Sequence, residues 1–192
     1  MAKKFDFKPD RPRSSLLSKL YLTQKQRRNL LKWVLYAAML LVLSVVQDVL
    51  LCKVDILGAT TELVPCGIFM ICLLEGAENS CVFSLIAACL YLFSGSSAGN
   101  FVIVLITVIA FVACLVRQSY FQAGFGAAIL CTFGAMLLFE LGSFSIVAFF
   151  GQTYGGRVGV AVLTALYTAL VAPVLYPVFQ LIGKIGGETW KE

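Results

Sequence analysis

The segment YLFSGSSAG, residues 91–99, lies between two apolar runs, residues 80–93 and 101–116. It contains three serines and two glycines and carries no charge. Glycine adopts the backbone conformations that tight turns need, and clusters of serine and glycine mark turns. The segment therefore predicts a tight hairpin between two membrane helices at the bilayer surface. The residues expected to shape this hairpin are Ser94, Gly95 and Gly99.

Composition places the whole chain in the membrane class. Hydrophobic residues make up 60% of the 192 residues, and charged residues make up only 13%. Six apolar runs are long enough, or nearly so, to cross a hydrocarbon core of about 30 Å as helices. They are residues 30–51, 63–74, 80–93, 101–116, 124–150 and 158–182. The sequence therefore predicts an all-α integral membrane protein, a bundle of six transmembrane helices with short loops. The fifth run exceeds one span, which suggests a tilt or a break near Gly142 and Ser143.

The distribution of positive charge predicts the orientation. Ten of the fifteen Lys and Arg residues lie within residues 1–32, and the positive-inside rule places that end in the cytoplasm. With six spans the C-terminus is cytoplasmic as well, and only Lys53 and Arg157 face outward. The chain is then divided into a basic cytoplasmic arm (1–29), a transmembrane domain (30–183) and a short cytoplasmic tail (184–192).

The basic arm has the pattern of a possible amphipathic helix. Leu16, Leu17 and Leu20 fall on one side of such a helix, and Lys25 and Arg27 follow them. The arm can lie on anionic lipids of the inner leaflet or dock a cytoplasmic partner. Alternatively, it only orients the first span. Lysines at the membrane surface account for the net charge of +5, so nucleic acid is not expected as a partner.

Patterns typical of catalysis or metal binding are missing from the sequence. The chain has no histidine, which removes the commonest general base and most nucleophile–base pairs. Its seven cysteines form no C-x-x-C pair, and most lie inside apolar runs, where cysteine behaves as a small hydrophobic residue. We therefore expect no enzyme activity, no metal and no cofactor.

Four polar residues are expected near the outer ends of their spans. Gln47 and Asp48 come at the end of the first span, Glu62 begins the second, and Glu140 lies past the middle of the fifth. An acid at membrane depth is costly, so its presence calls for a specific role. We hypothesise that these residues form a buried polar cluster or contact a partner, with Glu140 the deepest of the acids.

Such a cluster has a functional and a structural interpretation. The acids can form a solute site, a proton site or a contact with a polar group of a partner, with Lys53 or Arg157 reaching down to them. Hydrogen bonding between helices, or hydration of Asp48 and Glu62 at the interface, explains the same residues structurally.

Two other features of the spans have structural interpretations. Pro173 and Pro177 are expected to bend the last span near its inner end, because proline frees carbonyl groups within a helix. Glu75 and Glu78 are interpreted as part of the solvated inner turn between the second and third spans.

Four local motifs of this chain occur together in one known family. They are Gln47, residues 63–65 (LVP), residues 94–99 (SGSSAG) and residues 175–179 (LYPVF). With them the chain resembles the rod shape-determining protein MreD family over nearly its whole length beyond the basic arm. It departs from that family at Tyr91 and Cys66, where an Asp and an Asn are usual. Glu140 falls where the family often has an acid.

The resemblance implies a non-enzymatic subunit of the bacterial cell-wall elongation complex in the cytoplasmic membrane. MreD-like proteins bind the scaffold MreC and through it join MreB filaments, a SEDS-type glycosyltransferase and a penicillin-binding transpeptidase. The implied role is in cell shape and peptidoglycan synthesis. A different class shares the six short helices and the outer polar cluster: the substrate-binding membrane subunit of energy-coupling-factor vitamin transporters.

Overall fold

Six α-helices make up most of the chain in a computed structural model that describes residues 24–49, 51, 58–93, 99–120, 124–151 and 155–185. The helices are α1 (Gln24–Val49), α2 (Leu63–Glu75), α3 (Ala77–Phe93), α4 (Phe101–Tyr120), α5 (Phe125–Phe149) and α6 (Val158–Ile185). A short 3₁₀ turn, Gly155–Arg157, precedes α6. Ser94, Gly95, Lys53 and nearly all of the basic arm lie outside the described residues.

The helices begin and end close to the predicted apolar runs. Four contain segments long and apolar enough to cross a membrane: Arg27–Val49, Phe101–Tyr120, Phe125–Phe149 and Val158–Ile185. The other two, α2 and α3, are shorter apolar helices. The described chain is thus consistent with a helical membrane protein that has four full-length candidate spans.

Two expectations about helix continuity have different outcomes. Helix α5 runs without interruption through Gly142 and Ser143, so the break considered for it does not occur. Helix α6 continues through both Pro173 and Pro177. The helix continues on both sides of each proline. A bend at these prolines stays a prediction.

Helix α2 lies at the centre of the bundle. It packs against each of the other five helices, and its first eleven residues, Leu63 to Leu73, are all buried. A helix that is apolar all round is suited to such a position. Its thirteen residues span about 20 Å, which is less than a full hydrocarbon core. Because Leu63 and Val64 are buried, the start of α2 lies inside the bundle.

The remaining helices surround α2 as a ring. Neighbours along the ring are α1 and α6, α6 and α5, α5 and α4, and α4 and α3. Trp33 of α1 and Phe83 of α3, whose ring centroids are 5.1 Å apart, close the ring. The outward faces carry many exposed apolar side chains, such as Val45, Val104 and Leu170. Exposed apolar surface of this extent fits contact with lipid.

Successive helices run in alternating directions between two ends of the bundle. At one end, which we call the ion-pair end, Lys32 near the start of α1 meets Glu75 at the end of α2, and Gly183 near the end of α6 lies beside them. At the opposite end, Gln47 near the end of α1 meets Val64 at the start of α2. The start of α1 and the end of α6 are therefore on the same side.

Candidate functional site

The start of α2 needs hydrogen-bond acceptors because it is buried. The first backbone N–H groups of a helix have no partner within the helix. The N–H of Val64 donates to Oε1 of Gln47 over 3.0 Å, and the N–H of Glu62 donates to Oγ1 of Thr168 over 3.1 Å. Pro65 has no N–H to satisfy, so proline is well placed in this first turn. Gln47, a residue selected from the sequence, thus caps the central helix.

Glu62 lies directly before α2 and accepts a hydrogen bond from α3. The hydroxyl of Tyr91 donates to Oε2 of Glu62 over 3.0 Å, and Tyr91 itself is buried. A carboxylate beside a helix N-terminus is favoured by the partial positive charge there. Where the resemblance leads one to expect an aspartate, this chain has Tyr91, and its hydroxyl binds the acid that directly precedes α2.

A cavity of about 210 Å³ opens next to the start of α2, between the chain leading into α2, α5 and α6. We call it the polar cavity. Its polar lining residues are Thr60, Glu62, Glu140, Ser143, Arg157 and Thr164. Backbone without helical structure, such as the segment that leads into α2, is tolerated at membrane depth where it lines a cavity.

Two polar atoms of this cavity lack partners among the described residues. They are Oε1 of Glu140 and Oγ of Ser143, both buried and without a hydrogen bond. Glu140 is only 9% exposed. An unsatisfied polar group in a buried position is costly, and a carboxylate is the costliest of the common ones. Two hydrogen-bonding atoms in the wall of the cavity are therefore without a partner within the described chain.

The structure brings together some of the acids selected from the sequence and separates another. Glu62 and Glu140 face the same cavity, and Arg157 lines it as well. Asp48 does not line it; its side chain is exposed, and its Oδ2 accepts a hydrogen bond from Ser44 over 3.4 Å. The residues share a level along the bundle, but helix rotation turns Asp48 away from the cavity. Sequence reasoning did not select Ser143, Thr164 or Thr168.

The expectation that Glu75 is solvated is wrong. Its side chain is 7% exposed and forms an ion pair with Lys32, whose side chain is 6% exposed. The hydroxyl of Tyr36 also donates to Oε1 of Glu75 over 2.8 Å. This ion pair could have been predicted from the sequence. Because α1 and α2 are antiparallel, a lysine near the start of α1 lies level with an acid at the end of α2.

The described residues give no sign of a metal centre. Within the ranges that the structure covers, no group of three or more His, Cys, Asp or Glu side chains is arranged to hold a metal ion. The polar cavity contributes only two carboxylates. What it offers chemically is carboxyl and hydroxyl oxygens beside the side chain of Arg157.

Comparisons with known proteins yield no relative for this chain. No protein-family model, no curated protein and no solved structure matches it.

Proposed function

We propose that this protein is a non-enzymatic membrane subunit of the bacterial cell-wall elongation complex, which binds an MreC-like scaffold. The four sequence motifs that resemble those of the MreD family support the assignment to this complex. Through the scaffold it would join MreB-like filaments and the SEDS and penicillin-binding synthases, and so contribute to cell shape. Its location is the cytoplasmic membrane.

The size of the polar cavity favours a subunit that packs against partner helices over a solute carrier. The polar cavity has a volume of about 210 Å³, whereas small-molecule sites commonly have roughly 300–1,000 Å³. The outer ring of helices, by contrast, presents long apolar faces. The polar cavity is thus small for a vitamin, and two larger cavities among the described residues, of about 460 and 570 Å³, are lined mainly by apolar side chains.

The proposal includes six membrane crossings with both ends of the chain in the cytoplasm. It rests on the Lys/Arg distribution and on the alternating directions of the helices. Helices α2 and α3 are shorter than a full span. Both pack against longer helices of the bundle.

The alternative function is the substrate-binding subunit of an energy-coupling-factor vitamin transporter. A specific observation favours it: two of the acids selected from the sequence, Glu62 and Glu140, do line a shared cavity. The transporter hypothesis also places Asp48 in the cavity, but Asp48 lies outside it. The small volume also argues against a vitamin-sized ligand.

Affinity purification of the tagged full-length chain from native membranes in mild detergent tests the proposal. We expect an MreC-like scaffold among the co-purifying proteins, identified by mass spectrometry. Capture of a transporter's ATPase and coupling subunits instead would contradict it. A vitamin retained by the purified chain through gel filtration would contradict it as well.

A further inference from the structure

A groove of about 460 Å³ runs along α1 near the ion-pair end, and we call it the α1 groove. Among the described residues it is lined only by residues of α1: Asn29, Leu30, Trp33, Val34 and Ala37. Leu30 and Val34 are each 55% exposed, whereas Trp33 is half-buried and packs against Phe83 of α3. No other described helix lines the groove, so it is covered by lipid, by a second molecule or by a part of the chain outside the described residues.

The groove lies at the depth that a helix on the membrane surface reaches. A helix rises about 1.5 Å per residue, so Leu30 lies about 9 Å and Val34 about 15 Å along α1 from its start at Gln24. The apolar side of an amphipathic helix at the surface is buried roughly 5–10 Å into the boundary between headgroups and acyl chains. A helix that lies on the surface beside the start of α1 therefore meets Leu30 and the near part of the groove.

The segment directly before α1 has the sequence pattern of such a helix. Leu16, Leu17 and Leu20 fall on one side of the possible amphipathic helix in the basic arm. Thr23 and Gln26 have the spacing of a capping box, S/T-x-x-E/Q, which marks the first turn of a helix. A helix start at this point lets the chain change direction between the arm and α1. The leucines are thus joined to α1 within a few residues of the groove.

Lipid and a second copy of the chain are the other candidate occupants. A segment joined to α1 by a short linker has an effective concentration of about millimolar order at the groove, which favours it over a second molecule. A lipid in the groove would place its headgroup beside the start of α1, at the level where the arm joins the helix. An arm that lies there takes the place of that headgroup, and its leucines leave water in the same step.

We propose that residues 14–22 of the basic arm dock on the α1 groove, with Leu17 and Leu20 against Leu30 and Val34. The docked segment covers the apolar side of α1 at the ion-pair end and shields the indole of Trp33 from acyl chains. This interaction goes beyond the proposed function, because it lies within one chain and needs no partner protein.

Disulfide cross-linking of the full chain in native membranes tests the proposal, in a background without its seven cysteines. Leu20→Cys is combined with Leu30→Cys or with Val34→Cys, and an oxidant is added. A disulfide requires Cα atoms within about 7 Å, whereas a straight helix would separate residues 20 and 34 by about 21 Å. Trypsin cuts after the basic residues between positions 20 and 30. After digestion, the two cysteines therefore stay joined only through the disulfide.

Two matched controls connect the cross-link to the groove. Leu31 is also exposed, at 50%, but does not line the groove, so Leu31→Cys replaces the groove position. Lys19→Cys, on the polar side of the segment, replaces Leu20→Cys. We expect Leu20→Cys to cross-link with at least one groove position, and each control to lose most of that cross-link. Equal cross-linking by the controls would overturn the proposal, as would no cross-link at either groove position. Cross-links found only between isotope-labelled and unlabelled chains would overturn it in favour of a second copy.

The fluorescence of Trp33 is a second measurement, which does not depend on disulfide geometry. The chain has two tryptophans, and Trp190→Phe leaves Trp33 as the reporter. Lipids brominated in their acyl chains quench an indole that they contact. In proteoliposomes we expect weak quenching of this chain, several-fold stronger quenching when Leu17→Ser and Leu20→Ser are added together, and no change with Lys19→Gln. Strong quenching that the serine variant does not alter would show lipid in the groove and overturn the proposal.

Discussion

Lys32 on α1 and Glu75 at the end of α2 form a buried ion pair that ties the ring of helices to its central helix. Tyr36, one turn along α1, donates its hydroxyl proton to the same carboxylate over 2.8 Å, and the carbonyl oxygen of Phe179 on α6 lies 3.4 Å from the same hydroxyl oxygen. Three helices thus meet at one carboxylate at the ion-pair end. Removing one charge would leave the other buried without its partner.

Glu75→Met should therefore destabilise the protein, by about 3–5 kcal/mol if the pair behaves like other buried pairs. The double variant Lys32→Met with Glu75→Met removes both charges and keeps the volume, so it should recover most of the lost stability. Thermal unfolding of the detergent-purified variants measures both effects. A double variant as unstable as the single one would show that the ion pair is not the source of the loss.

Gln47→Leu should destabilise the start of the central helix. The substitution keeps the size of the side chain but leaves the N–H of Val64 without its acceptor, at a cost of about 1–3 kcal/mol. Asp48→Asn, at the adjacent exposed position, is the control and should change stability by less than about 0.5 kcal/mol. The two variants are compared by thermal unfolding, and equal melting temperatures would refute the capping role.

Gly99 should tolerate asparagine better than valine. Its φ is +62°, and a Cβ at this position would meet no atom within 4 Å, so conformation rather than space selects glycine. Asparagine enters the left-handed region several-fold more often than most residues, whereas for valine it costs about 1–2 kcal/mol or more. Membrane abundance of Gly99→Asn and Gly99→Val provides the measurement. Equal abundance of the two variants would rule out a conformational role for Gly99.

The membrane orientation can be tested with single cysteines in a cysteine-free background. Arg157 and Lys184 are both exposed and lie near opposite ends of α6. We expect an impermeant thiol reagent added to intact cells to label Arg157→Cys, and to label Lys184→Cys only after permeabilisation. Lys53→Cys, outside the described residues, should behave like Arg157→Cys. The reverse labelling pattern would invert the proposed topology.

Helix positions were predictable because a helix that crosses the hydrocarbon core needs an apolar run of matching length. The start of α2 at Leu63 and the start of α4 at Phe101 agree with the predicted runs. The central position of α2 was not predictable, because an entirely apolar helix fits both a lipid-facing and an enclosed position. Its burial depends on contacts with all five other helices, which no local pattern encodes.

The candidate site was predictable only in part, for a similar reason. Depth along the bundle follows from counting residues, and it placed Glu62, Glu140 and Arg157 at related levels. Rotation about the helix axis does not follow from counting, and it separates Asp48 from the cavity that the other two acids share. The Lys32–Glu75 pair was missed because Glu75 was interpreted as part of a turn, whereas α2 extends to include it.

The proposed scaffold function is tested most directly by Glu140→Gln in cells, with Glu140→Leu beside it. Glu140→Gln keeps the shape of the side chain and removes its charge. We predict that this variant is as abundant as the wild type, still co-purifies with the MreC-like scaffold and still supports elongated cells. Glu140→Leu removes the hydrogen-bonding atoms as well and should weaken binding of the scaffold, whereas folding should change little because Oε1 of Glu140 has no hydrogen bond within the described residues. A Glu140→Gln variant that is abundant and correctly assembled but unable to support growth as rods would contradict the scaffold function and favour a titrating carrier.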